Sequence, residues 1–104
     1  MKTKINILGT QYDYEVVKDI TAQELDGAGG GITKFFEKKI FINGDNDVIA
    51  DYNRIVRHEI LHAFFFESGL AEYARDEKVI DFLAYQIPKI VTIYKNLEKE
   101  QNND

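Results

Sequence analysis

Both histidines of the chain fall in one five-residue string, His58-Glu59-Ile60-Leu61-His62. For a chain of this composition, two histidines four apart with a glutamate directly after the first arise by chance about once in 600, so the string is read as chemistry. Residues 48–67 contain no Pro or Gly, follow the turn Asn43-Gly44-Asp45-Asn46-Asp47, and lead into Gly69. That pattern predicts a helix over about residues 48–68, with Asn46 or Asp47 as its N-cap and Gly69 as its left-handed stop. On such a helix His58 and His62 lie about 40° and one turn apart, so both imidazoles can reach one metal ion. Glu59 lies about 100° from His58, which puts its carboxylate beside the ion, where it can hold a water.

A catalytic zinc site takes three protein ligands and a water. Cysteine is absent and no third histidine exists, so the third ligand must be Asp or Glu. The downstream choices are Glu67, Glu72, Asp76, Glu77 and Asp81. Glu67, on the same helix, lies about 180° from His58 and points away. Glu72 falls in the connection and stays open as a ligand. Glu77 falls in the opening turns of a second helix, four residues before Asp81 and on the same face. One of these two carboxylates would bind the ion, and the other would accept a hydrogen bond from a ligand imidazole and so set its tautomer.

The elements that must position these groups run from strand to helix. Residues 4–8 and 12–17 alternate apolar and polar and form a predicted hairpin turning at residues 9–11. Thr21 to Glu24 has capping-box spacing and suggests a short helical turn. The glycine run at residues 27–31 reads as a connection; no Gly-Lys-Ser/Thr follows to make it a phosphate loop. Residues 32–37 and 39–42 are two further strands. A second long helix should start at residues 74–76 and run to about 98, with Pro88 inside it. Its arc Val79, Leu83, Ile87, Ile90, Tyr94 and Leu97 reads as core, and Tyr52 and Tyr85 as core tyrosines. The expected class is α+β: a small antiparallel or mixed N-terminal sheet followed by two long helices. The chain of 104 residues suits one domain, β-rich over 1–45, helical over 46–99, with a frayed tail at 100–104.

Composition narrows the partners. The net charge is −5, and the 13 Lys and Arg are scattered among 18 acids, which argues against nucleic acid. No apolar run reaches the ~18–20 residues of a membrane span, and no secretory signal is evident, so a cytoplasmic protein is expected.

The string His58-Glu59-Ile60-Leu61-His62 resembles that of the zincin metallopeptidases. Asp76-Glu77, followed four residues later by Asp81, is similar to the Asn-Glu-x-x-x-Asp element of the glutamate-ligand branch, the gluzincins. By that pattern Glu77 maps to the third ligand and Asp81 to the partner of a ligand histidine. Over about residues 30–90 the chain also resembles small phage- and prophage-encoded proteins in the style of the ImmA/IrrE-like metallopeptidases. The resemblance rests on Arg57 to Phe64, on Glu67-Ser68-Gly69-Leu70, and on Glu77, Val79-Ile80-Asp81, Ala84, Gln86 and Pro88-Lys89-Ile90. It implies a single-domain, cytoplasmic, zinc-dependent metallopeptidase holding one Zn²⁺ and acting on a peptide or protein substrate. Peptide bonds would be hydrolysed by a zinc-bound water that Glu59 activates. The alternative is a zinc-binding, non-catalytic regulatory or interaction module of phage or prophage origin.

Overall fold

Two strands of alternating character, β1 (Lys2–Ile7) and β2 (Thr10–Val17), open the computed structural model, which describes residues 1–18, 30–45 and 49–102. They pair antiparallel, from Lys2 opposite Glu15 to Ile7 opposite Thr10. The turn is Leu8-Gly9, one residue earlier than the sequence suggests, and both residues have positive φ (51° and 92°). A two-residue hairpin loop needs that geometry to match the twist of its strands, and only Gly9 adopts it without cost. β3 (Gly31–Lys34) and β4 (Lys39–Asn43) form a second antiparallel pair. β4 lies parallel to β2, giving a mixed four-stranded sheet in the order β1-β2-β4-β3 with β3 at an edge. The helical turn expected near Thr21 and the caps Asn46 and Asp47 lie outside the described residues, as do the last two residues of the tail.

The core forms where one sheet face meets α1 (Ile49–Glu67). Tyr12, Tyr14, Ile40 and Ile42 point inward and pack with Ile7, Ile55 and Ala63, while Asp13 and Glu15 alternate outward. Burial pushes the Tyr14 hydroxyl up to about 12, with help from its neighbour Tyr52. α1 ends as a Schellman motif: Leu70 N–H donates to Phe65 O at 2.9 Å, Gly69 N–H donates to Phe66 O at 3.1 Å, and Gly69 has φ 80°. Glu67, which faces away from the histidines, ties this end of α1 to the sheet. It accepts hydrogen bonds from Thr10 Oγ1 (2.8 Å), Tyr12 Oη (2.7 Å) and Lys38 Nζ (2.7 Å). Lys38, whose φ of 57° turns the chain from β3 into β4, also lies 4.8 Å from the centroid of the Phe66 ring.

A one-turn helix, α2 (Ala71–Ala74), redirects the chain into α3 (Glu77–Asn102). Asp76 is the N-cap of α3, its Oδ1 accepting from the Lys78 and Val79 amides at 3.1 Å each. The face of α3 that packs on α1 carries the buried Ile80 and Ala84. This corrects the expected core arc in its second half: Val79, Leu83 and Ile87 are half-buried, but Ile90, Tyr94 and Leu97 are more than half exposed. The carboxylates of α3 must reach α1, so their side of the helix is the packed one, and the helix runs on well past its support. Tyr85 is also exposed rather than core; it lies under the Arg54 guanidinium at 5.0 Å. The helix is continuous to Asn102, so residues 100–102 are helical rather than frayed. Pro88 cannot donate to the Ala84 carbonyl, and Arg57 Nε fills that place from α1 at 2.8 Å.

Candidate metal centre

Helical spacing sets His58 and His62 one turn apart on α1, with ring centroids 4.8 Å from each other. α2 and the Asp76 cap deliver the first turn of α3 directly above them. Glu77 reaches both rings, with Oε2 3.0 Å from His58 Nε2 and Oε1 3.0 Å from His62 Nε2. One ligand atom from each of the three lies within 4.8 Å of the others. Glu72 is not part of this group and Glu67 is bonded elsewhere, so among the described residues Glu77 is the carboxylate that could join the two histidines around an ion.

The hydrogen bonds behind the rings decide what this arrangement can hold. His62 Nδ1–H donates to the Ala74 carbonyl at 2.6 Å, which leaves Nε2 as a bare lone pair in the neutral ring. That lone pair faces a carboxylate oxygen at 3.0 Å. Asp81 Oδ1 lies 3.4 Å from His58 Nδ1 and is itself held by Arg54 Nη1 at 3.1 Å. His58 Nε2 in turn meets Glu77 Oε2 at hydrogen-bonding distance, 3.0 Å. Two imidazole nitrogens and a carboxylate that converge in this way, one of the nitrogens bare, are a donor set that fits zinc.

Glu59 is not among the ligands. It is 5% exposed, under β3, and the Thr33 hydroxyl shares its proton between Glu59 Oε1 (2.8 Å) and the Glu59 carbonyl (3.0 Å). Burial pushes the Glu59 carboxyl above the usual carboxylate range. The Thr33 hydrogen bond and nearby His62 oppose this, and the Glu77 charge adds to it. A buried carboxyl of raised affinity for protons, next to a metal-type donor set, is suited to taking and returning a proton.

These groups open into a cleft of about 520 Å³, lined by Gly31 and Thr33 of β3, by Phe35, and by Ala74 and Arg75 of the α2–α3 link. Phe35 stacks on Phe66 at 4.6 Å and turns toward His62 at 6.3 Å. A larger hollow of about 740 Å³ lies on the opposite sheet face, among Lys4, Asp13, Glu15 and Lys39. It contains none of the three donors.

Sequence reasoning identifies His58, Glu59, His62, Glu77 and Asp81, and the fold brings all five together. It misses Thr33, Gly31, the Ala74 carbonyl and Arg54. Arg54 had a local signal, since it precedes His58 by one turn on the same helix face. Thr33 and Gly31 had none, because their role comes from a sheet–helix contact between residues far apart in the chain. An alanine Cβ at Gly31 would sit 2.7 Å from Phe41 O and 2.9 Å from Glu59 Cγ, so α1 packs there against bare backbone. Among the described residues no helix is long and apolar enough to cross a membrane. No protein-family model, curated protein or solved structure matches the chain.

Proposed function

We propose that this chain is a small zinc-dependent metallopeptidase of the zincin type, with a glutamate as third ligand. His58, His62 and Glu77 would hold one zinc ion. When bound, zinc would supply Lewis acidity that polarises a carbonyl oxygen and acidifies water. Glu59 takes a proton from water in the cleft and returns it to the leaving amine. Thr33 keeps that carboxyl pointed and tempers the effect of its burial. Arg54 and Asp81 fix the His58 ring, and the Ala74 carbonyl fixes His62. The resemblance to phage- and prophage-encoded proteins makes a peptide or protein in the cytoplasm the expected substrate.

The observation that carries this reading is the three-way approach of His58 Nε2, His62 Nε2 and the Glu77 carboxylate, with Glu59 buried beside them. Elemental analysis of purified protein should find one zinc per chain, lost in Glu77→Gln. Mass spectrometry of a peptide library should then find cleavage by the parent chain, abolished in Glu59→Gln while zinc is retained. Hydrolysis surviving Glu59→Gln would refute the general-base role. Zinc uptake with no hydrolysis by the parent would favour a non-catalytic zinc-binding module.

A further inference from the structure

The chain has three arginines, and two are committed to the fold. Arg54 holds Asp81 and lies over Tyr85, and Arg57 fills the Ala84 carbonyl. Arg75 differs. It lines the metal-type cleft, is exposed, and pairs with no carboxylate among the described residues. Glu77, two residues on, is turned to the histidines, and Asp76 caps α3.

Its backbone is tied on both sides. Ala74 is fully buried and its carbonyl receives the His62 ring, while Asp76 receives two amides of α3. A guanidinium with no carboxylate partner among the described residues thus lines the cleft from the segment that orients one of the donors. The other cations nearby are placed differently. Lys34 pairs with Glu37 and Lys38 with Glu67, and Lys78 lies on the far side of His58 and Glu77, in a shallower hollow with Asp81 and Phe82 that does not include Glu59, Thr33 or His62.

The geometry points to Arg75 as a specificity-determining residue that recognises a carboxylate on the bound peptide, next to the group that faces His58, His62 and Glu77. A guanidinium matches a carboxylate with two parallel N–H bonds, a fit no neutral side chain offers. The carboxylate belongs either to an Asp or Glu side chain or to the peptide's own C-terminus. This inference rests on the zinc-site reading above and extends it to the ligand.

The test is binding of hydroxamate peptides to zinc-loaded protein by calorimetry, with three probes of equal length. One has an Asp side chain and an amidated end, one Ala and a free C-terminus, and one Ala and an amidated end. One of the two charged probes should bind about tenfold or more tightly than the neutral one, as expected for a charge-assisted hydrogen bond. Which one it is identifies the source of the carboxylate. Arg75→Ala should erase the preference, Arg75→Lys keep part of it, and Lys78→Ala leave it intact. Equal binding of all three probes, binding of none, or a preference surviving Arg75→Ala overturns the assignment. Zinc titration without probe reads the metal site separately: zinc uptake without carboxylate preference removes only the role of Arg75, and absence of zinc uptake removes both.

Discussion

Gly31→Ala is the most direct probe of how the general base is seated. An ordinary van der Waals contact begins at 3.4 Å, and the added Cβ would meet Phe41 O at 2.7 Å and Glu59 Cγ at 2.9 Å, so about 0.5–0.7 Å of movement is required. Phe41 cannot supply it, because Ile40 and Ile42 on either side are fully buried. The displacement falls on α1 and on the Glu59 side chain, at a cost of about 1–3 kcal/mol for overpacking. In urea that lowers the midpoint by about 1–2 M for a domain of this size. Moving Glu59 by half an ångström should also lower hydrolysis about tenfold or more, with zinc uptake retained. Gly30→Ala is the internal control, since the atoms nearest its Cβ, at 3.1–3.2 Å, belong to the Ile55 side chain and not to backbone. Equilibrium unfolding of both variants beside the parent decides the matter. A Gly31→Ala protein no less stable than Gly30→Ala would show that helix and strand do not press together there.

Glu67→Gln should cost about 1–2 kcal/mol at neutral pH, because a half-buried charge-assisted bond to Lys38 is lost. The Lys38, Tyr12 and Thr10 bonds hold the Glu67 carboxyl below its ordinary value of 4.5. Its contribution is therefore complete above that value and lost as pH falls through the lower folded-state value. Urea melts from pH 6 down into the acid range should converge for parent and variant, and a constant gap would contradict the linkage. Asp81→Asn should weaken zinc binding by about 10–100-fold in a chelator competition without unfolding the chain, whereas unchanged affinity would free Asp81 of any role toward His58. Arg57→Met should destabilise by about 1–3 kcal/mol in the parent and by at least about 1 kcal/mol less in a Pro88→Ala background, where residue 88 regains its N–H; a zero coupling in the double-mutant cycle would refute the compensation.

What was legible in the sequence was whatever repeats locally. Tyr12 and Tyr14 against Asp13 and Glu15 announce a half-buried strand, the histidine string announces one helix face, and Gly69 announces its end. Glu77 and Asp81 could be placed on one face of α3 for the same reason. Which face of α3 packs could not be read from hydrophobicity, because Ile90, Tyr94 and Leu97 form a good apolar stripe that stays more than half exposed. The parallel pairing of β2 with β4, and the seat of Glu59 under Gly31 and Thr33, depend on contacts between distant residues and leave no periodic trace.

The missing amide hydrogen of Pro88 has a geometric consequence. A helix repeats its backbone outline every turn, so a slip of α3 along α1 by one step of about 5.4 Å is the nearest competing register. At Ala84 it offers a carbonyl vacated by a proline, and among the described residues Arg57 is the group that donates to it. A slipped helix would strand both groups and carry Glu77 a full turn off the two imidazoles. A ring that lacks a hydrogen thus acts as a detent, holding the third donor over the other two.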